Sequence, residues 1–378
     1  MTGRPRAVVA NLPAYKPGKS AEQSASEHNL DEAIKLASNE TSYGPLPSVL
    51  AAVSDGAGLL NRYPDHRGSE VRSALAAKLN VENGQVTLGC GSVGLLQQLF
   101  LAYIDPGDEV VYPWRSFEVH PLFSAISQAV TLAIPLKDQA FDLDAVSRAV
   151  TLKTKLVILS TPNNPTGTVC STADLKRFLE SVPRDVVVVI DEAYLEFVTA
   201  SDVEDPVKAI LPFYSNVVVF RTFSKAYGLA NLRVGYAVGN VEIISALDKV
   251  ALPFLVNGLA QAAVLASLQP DASAELKLRV DEIVRERSRV TKLLTSAGWP
   301  VTPSQANFVW LPIRTEAGPL FQALEAKGNP MIHLGLGQPD FKTPKHVVEA
   351  AKKALDDGHH GYVLSNGILE CREAVTRW

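Results

Sequence analysis

The sequence predicts an α/β fold in which a mostly parallel sheet forms the core of a large domain, with a smaller α+β domain beside it. Short apolar runs at residues 156–160, 186–190 and 217–220 contain no charged residue, which is typical of strands buried on both faces. Stretches with helical spacing separate these runs, and turns rich in glycine, proline or polar residues follow them. This repetition favours crossover helices between parallel strands.

Composition and charge narrow the possible functions. The chain has 378 residues, 47% of them hydrophobic, which is enough for two packed domains with a sizeable core. A formal net charge of −4 gives no indication of nucleic-acid or membrane binding. Cys90, Cys170 and Cys371 form no paired framework, and residues 1–30 lack a long apolar segment. We therefore expect a cytoplasmic protein.

The elements outside the sheet begin with a strand over residues 34–40 and a helix that starts at Pro47. Residues 272–297 have apolar positions at helical spacing among many charges, which predicts a long surface helix. Residues 301–312 are interpreted as a strand of the smaller domain. The predicted divisions are an N-terminal arm with part of the small domain (1–44), the large domain (45–245), an incomplete small domain (246–313), a junction (314–330) and an atypical segment (331–378).

A glycine-rich turn follows the strand that begins at Val86 and precedes a helix over residues 95–103. Gly91 and Ser92 in this turn can present backbone N–H groups, a hydroxyl and a helix N-terminus to one anion. Tight packing explains many such turns, but the pattern favours phosphate binding here.

Polar and aromatic side chains follow the next strands. Phe117 could lie flat on a planar cofactor, although core packing is the commoner fate of a phenylalanine. Asn164 offers an amide donor, although by itself it marks only a turn. Asp191 ends the central strand, where a carboxylate needs a cationic or protonated partner unless it caps the next helix. Tyr194 adds a phenol to the same edge.

Lys225 and Arg233 follow the strand over residues 217–220. A lone lysine is most simply a solvated loop residue, but a second cation nearby lowers the pKa of an amine, which can then form a Schiff base. Because ligands of open α/β folds bind where strands end, these groups should share one ligand. A phosphorylated pyridine aldehyde, held as an imine, fits all of them. No nicotinamide fingerprint or metal-ligand spacing occurs, so no metal is predicted.

Nine short motifs carry a resemblance to one family. They are Lys-Leu-Ala-Ser-Asn-Glu-Thr (35–41), Gly-Pro-Leu-Pro-Ser (44–48), Asn-Arg-Tyr-Pro-Asp (61–65), Gly-Cys-Gly-Ser (89–92), Trp-Arg-Ser-Phe-Glu (114–118), Pro-Asn-Asn-Pro-Thr-Gly (162–167), Asp-Glu-Ala-Tyr (191–194), Arg-Thr-Phe-Ser-Lys-Ala-Tyr-Gly-Leu (221–229) and Ser-Gln-Ala-Asn-Phe-Val-Trp (304–310). With them the chain resembles the fold-type I pyridoxal-phosphate aminotransferases, within them the histidinol-phosphate and aromatic (phenylalanine) aminotransferase family.

The resemblance implies pyridoxal 5'-phosphate as cofactor and assigns roles by matching position. Lys225 would form the Schiff base and then shuttle a proton, and Asp191 would hold the pyridinium proton. Tyr194 and Asn164 would hydrogen-bond the phenolic oxygen of the ring. The stacking residue would be Phe117, the phosphate would be held by Gly91, Ser92, Thr222, Ser224 and Arg233, and Tyr63 would reach the phosphate of the neighbouring subunit. A homodimer with shared active sites is therefore expected.

The resemblance favours an amino acid and a 2-oxo acid as substrates. We predict amino transfer from an aromatic amino acid, phenylalanine first, to 2-oxoglutarate. Tyr15, Asn39 and His120 are candidate substrate contacts, although Tyr15 could instead be a packing anchor. Relatives specialised for histidinol phosphate often carry tyrosine at position 120, so His120 points away from that substrate. The alternatives are a histidinol-phosphate aminotransferase, a related phosphoamino-acid lyase, or a catalytically dead cofactor-binding protein.

The C-terminal stretch departs from the family pattern. The family's carboxylate-binding arginine, in a Gly-x-Arg-x-Thr strand, does not occur after Pro312. Residues 331–344 instead resemble the beginning of a second class I aminotransferase, and the tyrosine-to-glycine spacing of 63–68 recurs at 362–367. We interpret residues 314–330 as a join between two aminotransferase pieces, natural or artefactual, which would impair turnover more than cofactor binding. A swapped dimer in which the repeat pairs with its own copy is the alternative.

Overall fold

The computed structural model describes residues 3–10, 12 and 38–313. Contacts divide the chain into a compact unit of Met1–Tyr15 with Leu36–Met331 and a second unit of Lys16–Lys35 with Ile332–Trp378, which lies outside the described residues. The predicted boundaries between arm, large domain, small domain and junction stay predictions. The predicted strand over residues 34–40 lies mostly outside the described part, where only its end, a turn, is seen.

In the described part of the chain, one sheet contains β1 (Val86–Gly89), β2 (Glu109–Trp114), β3 (Val130–Pro135), β4 (Thr154–Ser160), β5 (Val187–Asp191), β6 (Val217–Thr222) and β7 (Gly235–Gly239). The strand order is β1-β7-β6-β5-β4-β2-β3. The pairs from β3 to β6 are parallel, and β7 runs antiparallel to both of its neighbours. The predicted α/β fold class with a mostly parallel sheet is confirmed.

Helices connect and cover the strands. Within the described residues they are α1 (Ala7–Ala10), α2 (Pro47–Gly56), α3 (Ser69–Leu79), α4 (Gly91–Tyr103), α5 (Val119–Ile126), α6 (Leu143–Ala149), α7 (Thr172–Ser181), α8 (Pro206–Ala209), α9 (Val241–Val250), α10 (Gly258–Ser267) and α11 (Pro270–Ser296). Short 3-10 turns occur at Ala57–Leu59, Asn83–Gln85, Leu195–Phe197 and Ala230–Leu232. None of these helices is long and apolar enough to cross a membrane.

The central strands of the sheet are buried on both faces. Along β5, Val188 and Ile190 pack into one apolar cluster, while Val187 and Val189 pack into another. Because successive side chains of a strand point to opposite faces, this division places one cluster on each side of the sheet. The five residues of β5 are all buried, and the only charged one is the last. Such a strand is expected where both faces of a sheet are covered.

The register of the central strands aligns their polar carboxyl ends. Ser160 of β4 pairs with Asp191 of β5, Asp191 with Phe220 of β6, and Thr222 of β6 with Gly235 of β7. The three polar side chains are thus held at one edge of the sheet by ladders of backbone hydrogen bonds.

Two helices differ little from their predictions, whereas one predicted strand is wrong. Helix α11 confirms the long surface helix, and α4 begins at Gly91 rather than at residue 95. Residues 301–312 contain only an isolated bridge between Thr302 and Trp310. Pro303 has no N–H to donate to a ladder, and the N–H of Gln305 instead bonds the carbonyl of Gly167 at 2.7 Å.

Candidate active site

A cavity of about 570 Å³ opens at the carboxyl ends of β4, β5 and β6. The sequence-predicted residues that line it are Asn39, Ser92, Phe117, Asn164, Asp191, Tyr194, Thr222, Ser224, Lys225 and Arg233. Open α/β sheets bind ligands in this position because connections diverge where the strands end. Side chains from six separate segments of the sequence therefore meet around one space.

Lys225 stands in the turn after β6 and is half-buried. Its Nζ donates to the carbonyl oxygen of Ser38 at 2.7 Å and lies 5.7 Å from the centre of the Tyr194 ring. Two features of Phe223 hold the turn in place. Its side chain is buried in the core, and its carbonyl oxygen accepts a hydrogen bond from the N–H of Leu229 at 2.9 Å. The backbone that carries the Lys225 amine at the cavity is therefore held in place.

Asp191 is the last residue of β5 and is 7% exposed. Its Oδ1 has no hydrogen-bond partner among the described residues. Burial raises the pKa of Asp191 to about 7, although the N–H of Ala193 and the charge of Lys225 act in the opposite direction. A buried carboxylate without a partner is costly, so this oxygen is suited to a ligand that brings a proton donor.

An anion-binding corner lies beside Asp191, where α4 begins at Gly91 and Ser92. Thr222 donates its hydroxyl to Ser224 Oγ at 2.9 Å, and Arg233 Nη1 lies 3.4 Å from the same oxygen. A helix N-terminus, hydroxyls and a guanidinium together form a site for a doubly charged phosphate.

Two glycines let the elements around this corner approach each other. Gly91 has φ +67°, and a Cβ there would stand 2.6 Å from Arg233 Nη2. A Cβ on Gly235 would stand 2.8 Å from the backbone nitrogen of Ser92. Only glycine permits these backbone positions without moving Arg233 or the start of α4.

The loop that carries Phe117 is anchored by a buried amide. Asn163 is fully buried, accepts from Ser116 Oγ at 2.8 Å and donates to the carbonyl of Arg115 at 3.1 Å. Asn163 therefore has a structural role, while its neighbour Asn164 lines the cavity. The aromatic ring of Phe117 and the amide of Asn164 are positioned by the same support.

Tyr194 and Asn39 form a second polar contact at the cavity. Asn39 Nδ2 donates to the Tyr194 hydroxyl at 3.0 Å, and Asn307 Nδ2 donates to the carbonyl of Asn39 at 3.1 Å. Tyr194 is 4% exposed, and burial raises the pKa of its phenol. The phenol is therefore neutral and can donate a hydrogen bond to a ligand oxygen.

Among the described residues, the sequence-predicted site residues that do not line the cavity are Gly91, Tyr63 and His120. His120, 0% exposed, lies edge-on to Phe117 with ring centres 6.0 Å apart, and burial lowers the pKa of its imidazole to about 3. The expectation that His120 contacts substrate is therefore corrected: helix α5 turns it into the core. Tyr63, 82% exposed, stacks on Phe254 at 4.5 Å. Tyr15 lies outside the described residues.

Sequence reasoning missed several residues that line the cavity, among them Ser160, Arg115 and Ser38. Ser160 is 4% exposed, and its Oγ has no partner among the described residues. It ends β4 as Asp191 ends β5, so the rule that selected Asp191 could have found it. Arg115 and Ser38 also line the space, and Arg115 stands in the same motif as Phe117.

The chain matches the family model of the aminotransferases class I and II over residues 31–327. It belongs to this family. The match covers most of the chain and all of the strand ends described above. The predicted fold type, enzyme class and pyridoxal-phosphate cofactor of this aminotransferase are thereby confirmed.

Individual relatives of this aminotransferase agree with that assignment. An aromatic amino acid aminotransferase of Corynebacterium glutamicum (strain R) is 50% identical over 308 residues, which cover 81% of this chain and 85% of the relative. One from Mycobacterium sp. (strain KMS) is 48% identical over 320 residues, covering 83% and 86%. The crystal structure of histidinol-phosphate aminotransferase from Sinorhizobium meliloti in complex with pyridoxal-5'-phosphate has a TM-score of 0.78 and 26% identity, covering 94% of this chain and 98% of that one.

The residues around the cavity fit pyridoxal phosphate. The unpartnered Oδ1 of Asp191 matches a protonated ring nitrogen, and the corner at Ser92 and Arg233 matches a phosphate. Lys225 supplies the amine and Phe117 a flat ring. Among the described residues no group of three His, Cys, Asp or Glu side chains could hold a metal ion.

Proposed function

We propose that this aminotransferase transfers the amino group of an aromatic amino acid, phenylalanine first, to 2-oxoglutarate. The observation that carries the proposal is the convergence of Lys225, Asp191 and Ser92 on one cavity in a chain of this family. The substrate class is supported by the names of relatives that are 48% and 50% identical to it.

When bound, pyridoxal phosphate accepts the amino group of the donor and withdraws electrons from its Cα. Lys225 would hold the cofactor through Nζ and then carry a proton to and from the donor's Cα. Because Nζ is 2.7 Å from the carbonyl of Ser38, that carbonyl can orient the amine for the transfer. Tyr194, whose ring centre is 5.7 Å from Nζ, narrows the paths that the amine can take.

The remaining lining residues would hold and polarise the cofactor. Asp191 would accept a hydrogen bond from the protonated ring nitrogen and so keep that nitrogen charged. Tyr194 and Asn164 would donate to the phenolic oxygen, and Phe117 would cover the ring face. The phosphate would be held by Gly91, Ser92, Thr222, Ser224 and Arg233.

A homodimer and a cytoplasmic location are part of the proposal. Tyr63 would reach the phosphate in the neighbouring subunit, which is supported by its 82% exposure outside its own cavity. A second copy that covers it would remove a large aromatic ring from water, a gain of the order of 2 kcal/mol for a fully buried side chain.

Parallel assays with phenylalanine and histidinol phosphate test the substrate. With 2-oxoglutarate as acceptor, we expect kcat/KM to be larger for phenylalanine. Turnover of histidinol phosphate alone would assign the chain to the alternative, which the similarity to the Sinorhizobium meliloti enzyme keeps open. A chain that binds the cofactor but converts neither donor would be a catalytically dead binding protein.

A further inference from the structure

The cavity contains more cationic side chains than the cofactor requires. Its charged lining residues are Glu40, Arg115, Glu118, Asp191, Lys225 and Arg233. The cofactor brings one phosphate and one aldehyde, whereas an amino-acid or 2-oxo-acid substrate adds a carboxylate at Cα. That carboxylate enters a space that excludes part of the water, where it needs a cationic partner.

Two of the three lining cations are committed elsewhere. Lys225 bonds the carbonyl of Ser38 and supplies the amine for the cofactor. Arg233 Nη1 donates to the carbonyl of Ala230 at 2.7 Å, and its guanidinium lies beside Gly91 at the anion-binding corner. Neither can leave its position without giving up cofactor contacts.

Arg115 is the remaining cation among the described lining residues. Its side chain is exposed, and its guanidinium makes no hydrogen bond or ion pair with the described residues; it lies 5.5 Å from the centre of the Trp114 ring. Its backbone is held by Asn163, so the base of the side chain is fixed while the guanidinium is available. Glu118 lines the same space, but the two side chains form no ion pair.

We propose that Arg115 binds the α-carboxylate that the amino donor and the 2-oxo acid share. The inference rests on the proposed aminotransferase function. A guanidinium matches a carboxylate with two parallel N–H donors, and the flat face of Trp114 supports it from behind. Because Arg115 and Phe117 stand two positions apart in one anchored loop, one segment would hold both the ring of the cofactor and the carboxylate of the substrate.

Steady-state kinetics of Arg115→Met test the proposal. We expect KM to rise about 10- to 100-fold for both phenylalanine and 2-oxoglutarate, since a charge-assisted pair is lost from each complex. Arg115→Lys keeps the positive charge but not the two parallel N–H donors. Its KM values should therefore lie between those of Arg115→Met and those of the native enzyme. Arg148→Met is the matched control, because Arg148 is an exposed arginine that does not line the cavity. Unchanged KM values, or a rise for 2-oxoglutarate alone, would overturn the assignment.

A binding measurement separates this inference from the proposed function. The probes are 3-phenylpropionate, which keeps ring and carboxylate but cannot react, and the neutral 3-phenylpropan-1-ol, both titrated calorimetrically into the cofactor-loaded protein. We expect the native protein to prefer the carboxylate about tenfold or more, and Arg115→Met to lose that preference while its thermal midpoint is kept. A preference that survives in Arg115→Met contradicts the role of Arg115. Failure of the proposed function would show differently, as native protein that binds probes but converts no phenylalanine.

Discussion

The described part of the chain leaves the buried carboxyl group of Asp191 only partly hydrogen-bonded. It ends a strand whose five residues are all buried, and its Oδ1 has no partner among the described residues. Burial raises the pKa of Asp191 to about 7, so near neutral pH the carboxyl is divided between its two protonation states. A cofactor ring that brings an N–H donor would favour the ionised form and bind more tightly for that reason.

Asp191→Asn should remove a pH-dependent loss of stability that Asp191 causes in the cofactor-free protein. Between about pH 4, where an unfolded aspartate titrates, and about pH 7, the unfolded chain releases a proton that the fold retains. Native stability therefore falls as pH rises through this window because of Asp191. The asparagine does not titrate, so the variant lacks this loss. As pH rises through the window, the free energy of unfolding of the variant should therefore increase relative to that of the native protein.

Urea unfolding of both proteins without cofactor, at about pH 5 and about pH 8, measures this effect. We expect the difference between variant and native protein to be larger at the higher pH. A difference that is the same at both values would mean that Asp191 is already satisfied inside the fold.

Single residues show where sequence reasoning reached its limit. Asp191 and Lys225 could be predicted because each follows a charge-free apolar run that can only be a buried strand. His120 was placed at the cavity, yet α5 turns it into the core, a direction that depends on where the helix starts. Arg115 was missed because an arginine between two aromatics carries no local signal for a cavity.

The ends of β5 and β6 are joined by a buried ion pair. Arg221 Nε and Nη2 donate to Glu192 Oε2 at 2.9 and 2.8 Å, and Nη2 donates to Asp205 Oδ1 at 2.5 Å. Burial alone would lower the pKa of Arg221, but the neighbouring carboxylates, Glu192 foremost, hold it above its ordinary value. Because Glu192 follows Asp191 and Arg221 precedes Thr222, the pair ties together two strand ends that line the cavity.

Arg221→Met should destabilise the protein by about 3–5 kcal/mol, because it leaves the buried carboxyl group of Glu192, whose pKa burial already raises to about 7, without its partner. Arg177→Met is the control, since Arg177 pairs with Asp174 at 2.5 Å but is 68% exposed. An exposed pair contributes little, so the control should unfold almost as the native protein does. Guanidinium unfolding followed by circular dichroism measures both, and equal losses in the two variants would contradict the role given to burial.

Among the strands, burial decides which could be predicted. The runs at β4, β5 and β6 are buried throughout and were predicted from composition alone. Strand β3 was missed because it is the edge strand and none of its residues is buried, so the pattern expected of strands buried on both faces does not apply to it. The strand expected at residues 301–312 does not form, since Pro303 cannot donate and the segment bonds the loop at Gly167 instead.

The whole molecule is expected to work as a pair of chains. Tyr63 stacks on Phe254 at 4.5 Å at an exposed surface and does not line its own cavity. In a symmetric dimer, a side chain that projects from one subunit into the active site of the other is matched by the same contact in the opposite direction. The two sites would therefore share residues rather than operate independently.

Mixing two inactive variants tests this sharing. Tyr63→Ala keeps its lysine, and Lys225→Ala keeps its tyrosine, so a mixed dimer would contain one native site and one doubly altered site. After co-refolding at equal amounts, we expect about a quarter of the native activity from random pairing. Activity no higher than the average of the two separate variants would mean that Tyr63 does not act across subunits.

The proposed chemistry requires that Lys225 meets a cofactor in the cavity bounded by Asp191 and Ser92. Borohydride reduction of the protein loaded with pyridoxal phosphate, followed by peptide mass spectrometry, tests this most directly. We expect one visible absorbance band that reduction removes, and one phosphopyridoxyl group on the peptide that contains Lys225, absent in Lys225→Ala. A label on other lysines, or a label that Lys225→Ala retains, would mean that Lys225 does not hold the cofactor.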